Sequence, residues 1–370
     1  MKKILFLIHD LGHGGAEKVL VNLVNNMDHS KFDITVMALF GGGVNERFLS
    51  EDVRLMVCHK KPFPGNSHLM KLFTPKQLYR HYIKEHYDIV VSYLEGPCAR
   101  IISGCSDPAT KKVGWIHIEQ RNQKRAAASF RSYREALNCY NAFDKIVCVS
   151  HGVKEDFMRL MPVKSEPVVL YNTNESEKIL ASSRENLEDG IFLAEELNLV
   201  GVGKLLENKG FHRLIPMVKA LRDENLPAHL YILGVGPAQA QLEKLAQQYG
   251  VSDYVTLLGY QTNPYKYVAK ADLFVCASHA EGFSTAATEA LIVGTPVCTV
   301  EVSGMKEMLG EHNEWGVVME NDDKALYLSI KKLLSEPELL RYYHKQAEKR
   351  GESFSTQSTV DAVQDMLKNL

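Results

Sequence analysis

The stretch of sequence that decides the fold is residues 273–300, LFVCASHAEGFSTAATEALIVGTPVCTV. It begins with four apolar residues and ends with four of which only Thr299 is polar, and both runs have the length and composition of buried strands. Between them Ser284 is a favourable helix N-cap, Gly294 suits the position just after a helix, and Pro296 prevents the helix from continuing. The stretch therefore predicts a strand, a helix and a strand in succession, which is the βαβ unit of a parallel sheet.

The same alternation of apolar runs and amphipathic stretches extends over most of the chain. We expect further strands at residues 4–9, 32–40, 89–94, 112–118, 145–150, 199–203, 229–233 and 255–258, and helices at 17–27, 211–224, 238–249 and 285–293. Two such arrays predict an α/β protein of two Rossmann-like, doubly wound domains facing a cleft. Ligands of these folds bind at the carboxyl ends of the strands.

The boundary between the arrays is expected where the pattern weakens, between residues 171 and 197. Asn172, Thr173 and Asn174 favour a turn, and the residues that follow are acidic and weakly periodic. The sequence therefore predicts an N-terminal domain of residues 1–172 and a C-terminal domain of residues 190–355. A final helix, expected at 356–370, could pack on either domain, including the N-terminal one.

Composition excludes several classes of protein. The 45% hydrophobic and 24% charged residues are ordinary for a soluble globular chain. No run approaches the roughly 18 apolar residues of a membrane span, and the apolar run at residues 4–8 is too short for a signal peptide. Seven cysteines without a CxxC pair argue against a disulfide framework or a zinc site. We expect a cytoplasmic protein with no nucleic-acid partner.

The strongest chemical signal is a pair of acidic residues around the predicted helix. Glu281 lies in the loop before it, and Glu289 lies inside it among alanines. The backbone N–H groups of residues 282–286 would form an anion site at the helix N-terminus. Glu289 is then either solvated or paired with a base, or it accepts hydrogen bonds from two vicinal hydroxyls.

Three weaker signals accompany this pair. Lys204 and Lys209 follow a predicted strand and suit a diphosphate, although surface lysines are common there. The loop at residues 12–17 resembles a dinucleotide fingerprint, but Glu17 stands where the third glycine belongs. That loop is either a tight turn that a ligand approaches or a plain connection. His117 ends a predicted strand, where it is either structural or part of a site.

Together these residues resemble the retaining glycosyltransferases of the GT-B fold, in family 4 (glycosyl transferases group 1), which make bacterial surface glycans. The spacing of Glu281 and Glu289 is similar to the family's E-x7-E signature. Residues 203–210 resemble its G-R-L-x-x-x-K-G, with Lys204 in place of the arginine that could bind bidentately. Residues 14–17 match the family's N-terminal loop.

The resemblance implies a role for each of these residues. Glu281 would lie beside the donor sugar and His117 would reach it from the N-terminal domain, so these two are the catalytic candidates. Glu289 would hold the ribose, and the lysines would neutralise the diphosphate. The full set of implied donor-binding residues is Gly15, Lys204, Lys209, Leu258, Tyr260, Gly282, Phe283, Ser284 and Glu289, with Leu258 and Tyr260 near the base.

The function implied is transfer of a hexosyl or N-acetylhexosaminyl group, with retention, from a UDP-sugar to a glycan or lipid-linked acceptor in surface polysaccharide synthesis. No cofactor or metal is expected, because the chain has no D-x-D and the lysines offer the positive charge. The alternatives are a sugar epimerase or phosphorylase on the same fold, or a non-catalytic nucleotide-sugar-binding subunit. The failed dinucleotide fingerprint disfavours a nicotinamide dehydrogenase.

Charge is distributed unevenly along the chain. Residues 1–170 hold 24 Lys and Arg against 17 Asp and Glu, whereas residues 171–370 hold 19 against 28. Seven bases and no acid occur from residue 54 to 84: Arg54, Lys60, Lys61, Lys71, Lys76, Arg80 and Lys84. Histidines and apolar residues are interleaved with them (His59, His68, His81, Phe63, Leu69, Met70, Leu72 and Phe73), and a second basic stretch holds Arg121, Lys124, Arg125, Arg131 and Arg134. This mixture predicts peripheral docking on an anionic inner membrane face, or else a solvated surface over a buried apolar core.

Overall fold

The computed structural model describes residues 1–61, 65, 69–187, 191–193 and 195–370. Of the residues singled out above, Phe63, His68 and the proposed domain start at residue 190 lie outside these ranges. The chain divides into two compact units. Unit 1 comprises Met1–Thr173 together with Thr356–Leu370, and unit 2 comprises Asn174–Ser355.

Unit 1 is built on a seven-stranded sheet in which all neighbouring strands are parallel. Its strands are β1 (Lys2–Ile8), β2 (Phe32–Phe40), β3 (Arg54–His59), β4 (Ile89–Ser92), β5 (Lys111–Ile116), β6 (Lys145–Cys148) and β7 (Val168–Val169). They lie in the order β3-β2-β1-β4-β5-β6-β7. Its helices include α1 (Gly15–Asn26), α2 (Pro75–Tyr82), α3 (Pro97–Ile102), α4 (Gln123–Ala126), α5 (Tyr133–Tyr140) and α6 (His151–Leu160).

Unit 2 repeats this plan with a six-stranded parallel sheet in the order β10-β9-β8-β11-β12-β13. The strands are β8 (Leu197–Val202), β9 (Ala228–Leu233), β10 (Val255–Gly259), β11 (Leu273–Cys276), β12 (Val297–Val300) and β13 (Val317–Met319). The helices include α7 (Ser176–Ser183), α8 (Phe211–Asp223), α9 (Gln239–Gln248), α10 (Tyr265–Val268), α11 (Thr285–Ile292), α12 (Met305–Leu309), α13 (Asp323–Ser335) and α14 (Pro337–Gly351). The predicted pair of doubly wound α/β domains is thus confirmed.

The central strands are long apolar runs because helices cover both faces of a parallel sheet. In β1 the residues from Ile4 to Ile8 are fully buried, and in unit 2 the buried residues of β8, β9 and β11 share one core with helix α8. The strands at the sheet edges are shorter or more exposed. β7 has two residues, β13 has three, and no residue of β3 is buried.

The C-terminal helix α15 (Thr356–Lys368) packs on unit 1, beside α1. Its face of buried residues includes Val360, Val363 and Leu367. Polar bonds complete the attachment, since Lys2 Nζ donates to the Leu367 carbonyl at 3.1 Å and the Asp28 N–H donates to Gln364 Oε1 at 2.8 Å. The choice that the sequence left open is therefore settled by packing against the first unit.

The segment in which we expected a linker contains helix α7, which belongs to unit 2. The Ser182 carbonyl accepts a hydrogen bond from Asn263 Nδ2 at 2.9 Å, and the Glu185 carbonyl accepts one from Lys270 Nζ at 3.0 Å. Further along, the Phe192 ring packs on Tyr231 with centroids 4.5 Å apart. Acidic composition and weak periodicity therefore failed to predict helix α7, because this helix is short and half exposed.

Each sheet has one position where the direction of winding reverses, and this is where doubly wound proteins bind ligands. In unit 1 the reversal lies between β1 and β4, and in unit 2 it lies between β8 and β11. The loops after β8 and β11 carry Lys204, Lys209 and Glu281. Within the described ranges, no helix is both long enough and apolar enough to cross a bilayer.

Candidate active site

The centre of the unit 2 site is an ion pair between the two loops at the sheet reversal. Lys209 Nζ lies 2.6 Å from Glu281 Oε1, and the Ser278 hydroxyl donates to the same oxygen at 2.6 Å. The side chain of Glu281 is 11% exposed and that of Lys209 is 26% exposed. Glu281 Oε1 therefore joins the loop after β8 to the loop after β11, whereas Glu281 Oε2 takes part in neither of these two hydrogen bonds.

Electrostatics keep Lys209 protonated. Burial alone would lower the pKa of its ammonium group, but the attraction and hydrogen bond of Glu281 outweigh burial, so the pKa is raised. A cation that is largely removed from water is then present at neutral pH beside a loop that precedes a helix. Lys209 could therefore bind a second anion in addition to the Glu281 carboxylate.

Close backbone packing fixes the course of the Lys209 loop. Residues Glu207–Lys209 form a single helical turn that ends at Gly210, whose φ of +70° is left-handed. A Cβ atom on Gly210 would lie 2.0 Å from the Ala277 carbonyl oxygen, so only glycine fits there. The His279 N–H donates to the Asn208 carbonyl at 2.8 Å and ties the two loops together again.

A buried arginine holds the loop after β11, which carries Glu281, through hydrogen bonds. Arg213 is 5% exposed, and its Nη1 donates to the Ala277 carbonyl and to Asn321 Oδ1, both at 2.8 Å. Asn321 Nδ2 in turn donates to the Ser278 carbonyl at 3.4 Å. The backbone that presents Glu281 is therefore held by side chains as well as by the sheet.

Helix α11 starts as the sequence predicts. Ser284 is its N-cap and accepts a bond from the Ala287 N–H at 3.4 Å, and Gly294 follows the helix with a φ of +81°. Glu289 is 6% exposed, so it is not the solvated glutamate that was one alternative. Phe283 is buried, and Gly304 packs so closely that a Cβ there would lie 2.6 Å from the Gly282 carbonyl oxygen.

A third loop of the site was missed by the sequence reasoning. Gly234 and Gly236 follow β9, and their missing side chains let this loop pack on the backbone after β8. A Cβ on Gly234 would lie 1.9 Å from the Gly203 carbonyl oxygen, and one on Gly236 would lie 2.4 Å from that of Leu205. The available signal was the run Gly-Val-Gly-Pro at 234–237, directly after an apolar strand.

Family comparisons agree with this geometry along most of the chain. Residues 13–173 match the model described as Glycosyltransferase Family 4, and residues 183–350 match the model described as Glycosyl transferases group 1. The chain belongs to the GT-B glycosyltransferases of family 4. As a glycosyltransferase it is an enzyme, which sets aside the epimerase, phosphorylase and non-catalytic alternatives.

Several relatives of this glycosyltransferase match it from end to end. A Campylobacter jejuni protein named N-acetylgalactosamine-N,N'-diacetylbacillosaminyl-diphospho-undecaprenol 4-alpha-N-acetylgalactosaminyltransferase is 27% identical, with 100% of both chains covered. LpsD of Rhizobium meliloti, named a lipopolysaccharide core biosynthesis glycosyltransferase, is 25% identical over 97% of this chain and 96% of its own.

Solved structures show the same fold. HepE of Anabaena, in complex with UDP and glucose, is 19% identical, covers 100% of both chains and has a TM-score of 0.81. WaaG, described as a glycosyltransferase involved in lipopolysaccharide biosynthesis, is 17% identical over 98% of this chain and 99% of its own, with a TM-score of 0.74. At these identities the likeness establishes the GT-B architecture of the glycosyltransferase.

The other candidate residues of unit 2 are less tightly held. Lys204 is exposed, and its side chain makes no hydrogen bond or ion pair with the residues described. Tyr260 is 42% exposed after β10, and the Leu258 carbonyl accepts a hydrogen bond from Gln261 Nε2 at 2.7 Å. The structure thus brings Lys209 and Glu281 into contact and leaves Lys204 extended into solvent.

The two candidates in unit 1 lie at the carboxyl edge of its sheet. Gly15 is exposed and is the first residue of α1. His117 follows β5, and its backbone N–H donates to Glu95 Oε2 at 3.2 Å. Its ring forms a hydrogen bond with the backbone of Tyr93, whereas its buried Nε2 has no hydrogen-bond partner among the described residues. Burial lowers the pKa of His117 to about 3, so the ring is neutral and Nε2 is a hydrogen-bond acceptor.

Proposed function

We propose that the protein is a retaining, metal-independent glycosyltransferase. In this proposal it moves a hexosyl or N-acetylhexosaminyl group from a UDP-sugar to a glycan or lipid-linked acceptor in surface polysaccharide synthesis. The observation that carries the proposal is the contact between Lys209 and Glu281 at 2.6 Å, at the reversal point of the unit 2 sheet. Few structural roles require a mostly buried cation at the position where doubly wound folds bind ligands.

The proposed chemistry follows from the charge that develops during transfer. Breaking the bond between the anomeric carbon of the donor sugar and the diphosphate oxygen leaves negative charge on the diphosphate. Lys209 and Lys204 offset that charge, together with the N–H groups of residues 282–286 at the start of α11. Glu289 accepts hydrogen bonds from the two ribose hydroxyls, which is a use for a carboxylate that the helix buries.

Glu281 is assigned a place beside the donor sugar. Its Oε1 is occupied by Lys209 and Ser278, so we assign the contact with the sugar to Oε2. Because the acceptor attacks the face that the diphosphate leaves, the configuration at the anomeric carbon is retained. No residue of the site is needed as a covalent nucleophile.

His117 is proposed to accept a hydrogen bond from a hydroxyl of the donor sugar. Its Nε2 is buried without a partner, and an unsatisfied buried acceptor is costly unless a ligand supplies the donor. The low pKa of about 3 supports this role, since a neutral imidazole keeps the lone pair of its Nε2 at physiological pH.

The identity of the donor rests on the relatives. HepE is described in complexes with UDP, with UDP and glucose and with UDP-glucose, and the Campylobacter relative is named as an N-acetylgalactosaminyltransferase. The proposed absence of a metal rests on the lysines and on the lack of a D-x-D in the sequence. Both parts remain proposals for this chain.

The acceptor is proposed to be lipid-linked, with unit 1 docking on an anionic membrane. The Campylobacter relative is named for a diphospho-undecaprenol substrate. In this chain Leu69, Leu72 and Phe73 are 48%, 72% and 46% exposed, which favours docking over a buried apolar core. Lys60, Lys61, Lys76, Arg80 and Lys84 are also exposed.

Other residues of the basic stretches have different roles. Met70 is buried, and Arg54 pairs with Glu85 at 2.7 Å, so neither belongs to a docking surface. Arg131 donates to the Lys71 and Leu72 carbonyls at 2.5 and 2.8 Å, and buried Arg100 donates to those of Met70 and Phe73, both at 2.7 Å. The two arginines thereby hold the turn that displays the exposed apolar side chains.

The test is nucleotide release from a panel of donors. UDP-glucose, UDP-N-acetylglucosamine, UDP-N-acetylgalactosamine and GDP-mannose are each incubated with the protein and p-nitrophenyl glycosides of glucose, galactose and the two N-acetylhexosamines. We expect one UDP-sugar to release UDP and to give a product whose anomeric proton coupling shows retention. Release from GDP-mannose alone, or an inverted product, would overturn the corresponding part of the proposal.

A further inference from the structure

A buried serine three residues before Glu281 contacts that glutamate but has no part of its own in the chemistry proposed above. Ser278 is 2% exposed, and its hydroxyl donates to Glu281 Oε1 at 2.6 Å. The same hydroxyl accepts a hydrogen bond from the Cys276 thiol, whose sulfur lies 3.5 Å away. Because an ionised carboxylate can only accept, the chain of hydrogen bonds runs from Cys276 through Ser278 to Glu281.

The backbone that carries the Ser278 hydroxyl is fixed on both sides. The Ser278 carbonyl accepts a hydrogen bond from Asn321 Nδ2 at 3.4 Å, and the preceding carbonyl, of Ala277, accepts one from Arg213 Nη1 at 2.8 Å. Gly210 packs against the same Ala277 carbonyl, which a Cβ on Gly210 would approach to 2.0 Å. The Ser278 hydroxyl is therefore a hydrogen-bond donor with little freedom to move.

Ser278 and Lys209 donate to the same carboxylate oxygen but differ in charge. Lys209 Nζ lies 2.6 Å from Glu281 Oε1 and is the cation that we assign to the diphosphate, so a bound nucleotide competes with Glu281 for its ammonium group. The Ser278 hydroxyl is neutral, and the negative charge of a diphosphate attracts it far less. Ser278 therefore keeps its bond to Glu281 when the attraction of Lys209 is divided between two anions.

We propose that Ser278 is a positioning residue of the transfer reaction, which fixes the Glu281 carboxylate so that Oε2 is available to the donor sugar; this inference rests on the proposed function. The terminal torsion of a glutamate has broad energy wells, so the carboxylate rotates unless a fixed donor restrains it. A misplacement of about 1 Å at a reacting centre can lower a rate about a hundredfold. Ser278 thus acts on the rate through Glu281, without contacting the nucleotide.

Thr295 supplies a matched control in the same unit. It is fully buried beyond the C-terminal end of α11, and its hydroxyl donates to the Val268 carbonyl at 2.7 Å. Thr295→Val removes a buried hydroxyl, as Ser278→Ala does, but the hydrogen bond that it deletes does not involve Glu281. The Val268 carbonyl is left without this donor, so Thr295→Val should lower the stability of unit 2.

The experiment compares Ser278→Ala, Glu281→Ala and the double variant of these two changes with Thr295→Val. The probes are the donor and the p-nitrophenyl acceptor that give most nucleotide release in the panel above. Transfer is measured in single turnovers with the enzyme in excess, so that the rates of slow variants can still be compared. UDP affinity by calorimetry and the melting temperature are recorded for each variant.

We expect Ser278→Ala to lower the rate of transfer about tenfold, for loss of a hydrogen bond to a charged group, and to change UDP affinity by no more than about twofold. When Glu281→Ala is already present, Ser278→Ala should lower the rate no further, because the group that it positions is gone. Thr295→Val should lower the melting temperature and leave the rate unchanged.

An unchanged rate in Ser278→Ala would overturn the inference. A further tenfold loss in the double variant would overturn it as well, since Ser278 would then act independently of Glu281. Equal losses of rate and UDP affinity in Ser278→Ala, or an equal loss of rate in Thr295→Val, would also contradict it. If the unchanged protein releases no nucleotide from any donor, it is the proposed function that fails.

Discussion

Glu281 carries two hydrogen bonds on one oxygen, and this arrangement has consequences for the energetics of the site. Partly buried ion pairs contribute little net stability, because desolvation offsets most of the attraction. Removing one partner is costly, since the other charge is left without compensation. The contact of Lys209 with Glu281 is therefore better explained by a site that needs both charges than by the stability of unit 2.

His117 gives a prediction about pH. Its pKa falls from about 6.5 to about 3 on folding, so the unfolded chain binds a proton between these values and the folded chain does not. Its contribution to stability is thus complete above about pH 6.5 and is lost as the pH falls toward 3. When the pH is lowered from 7.5 to 5.5, the free energy of unfolding should fall less in His117→Gln than in the unchanged protein, as measured by urea unfolding.

The same residue should affect catalysis more than donor affinity. Unit 2 carries the proposed diphosphate and ribose contacts, so His117→Ala should leave binding of the active UDP-sugar by calorimetry nearly unchanged while the maximal rate falls about tenfold. His81→Ala, at an exposed position of the same unit, is the control. Equal losses of rate and affinity would instead make His117 a ground-state binding residue.

At the scale of elements, the loops after β8 and β11 depend on one glycine. Gly210 and Gly250 have nearly the same φ, +70° and +65°, but only at Gly210 would a Cβ meet backbone, whereas Gly250 has nothing within 4 Å. Gly250→Ala should lower the free energy of unfolding by about 1 kcal/mol through left-handed strain. Gly210→Ala should lower it further and weaken UDP binding. Equal effects of the two changes would show that the contact with Ala277 does not matter.

The central strands were predictable, and three of the four edge strands (β3, β7 and β13) were not. The expected strand at 32–40 and those at 273–276 and 297–300 occur with the same bounds, since strands buried on both faces are continuous apolar runs. β3 falls within the stretch for which the sequence predicts a basic interfacial segment, because an exposed edge strand keeps charged residues such as Arg54. β7 and β13 are too short for any periodicity to show.

The candidate site could be predicted in part for the same reason. Ser284 and Gly294 mark the ends of a helix through local backbone preferences, so they are visible in the sequence. The pairing of Lys209 with Glu281 joins residues far apart in the chain, and nothing local encodes it.

At the scale of the whole molecule, we predict turnover without a divalent metal. The leaving diphosphate is neutralised by lysines and N–H groups in the proposed mechanism, so excess EDTA should change the rate by no more than a few-fold. The measurement is nucleotide release from the active UDP-sugar with and without EDTA. Complete loss that magnesium or manganese restores would show that the leaving-group chemistry is different.

The distribution of charge predicts salt-sensitive binding to anionic vesicles. Each base near the surface contributes about 1 kcal/mol, and the attraction is screened over about 8 Å at physiological salt. Vesicles containing phosphatidylglycerol should therefore bind the protein at low salt, and phosphatidylcholine vesicles should bind it poorly. Changing Lys60, Lys61, Lys71 and Lys76 together to Glu should abolish binding.

The control for that experiment changes four exposed lysines of unit 2, Lys244, Lys324, Lys332 and Lys345, to Glu. Both variants have the same net charge, so a difference between them reports the location of the bases. Vesicle binding that survives the first set of changes would place the docking surface elsewhere. Failure of the unchanged protein to bind at low salt would favour a soluble acceptor.

The central proposal is that unit 2 binds a nucleotide diphosphate through Lys209 and Glu289. The direct measurement is a calorimetric titration with UDP of the unchanged protein, Lys209→Ala, Glu289→Ala and the control Lys219→Ala, whose ion pair with Asp223 lies on the exposed face of α8. We predict that the first two variants bind UDP about tenfold or more weakly, for loss of a charge-assisted contact of about 1.5–3 kcal/mol, and that Lys219→Ala binds normally. Unchanged UDP affinity in Lys209→Ala and Glu289→Ala, with melting temperatures near that of the unchanged protein, would contradict the assignment of the site.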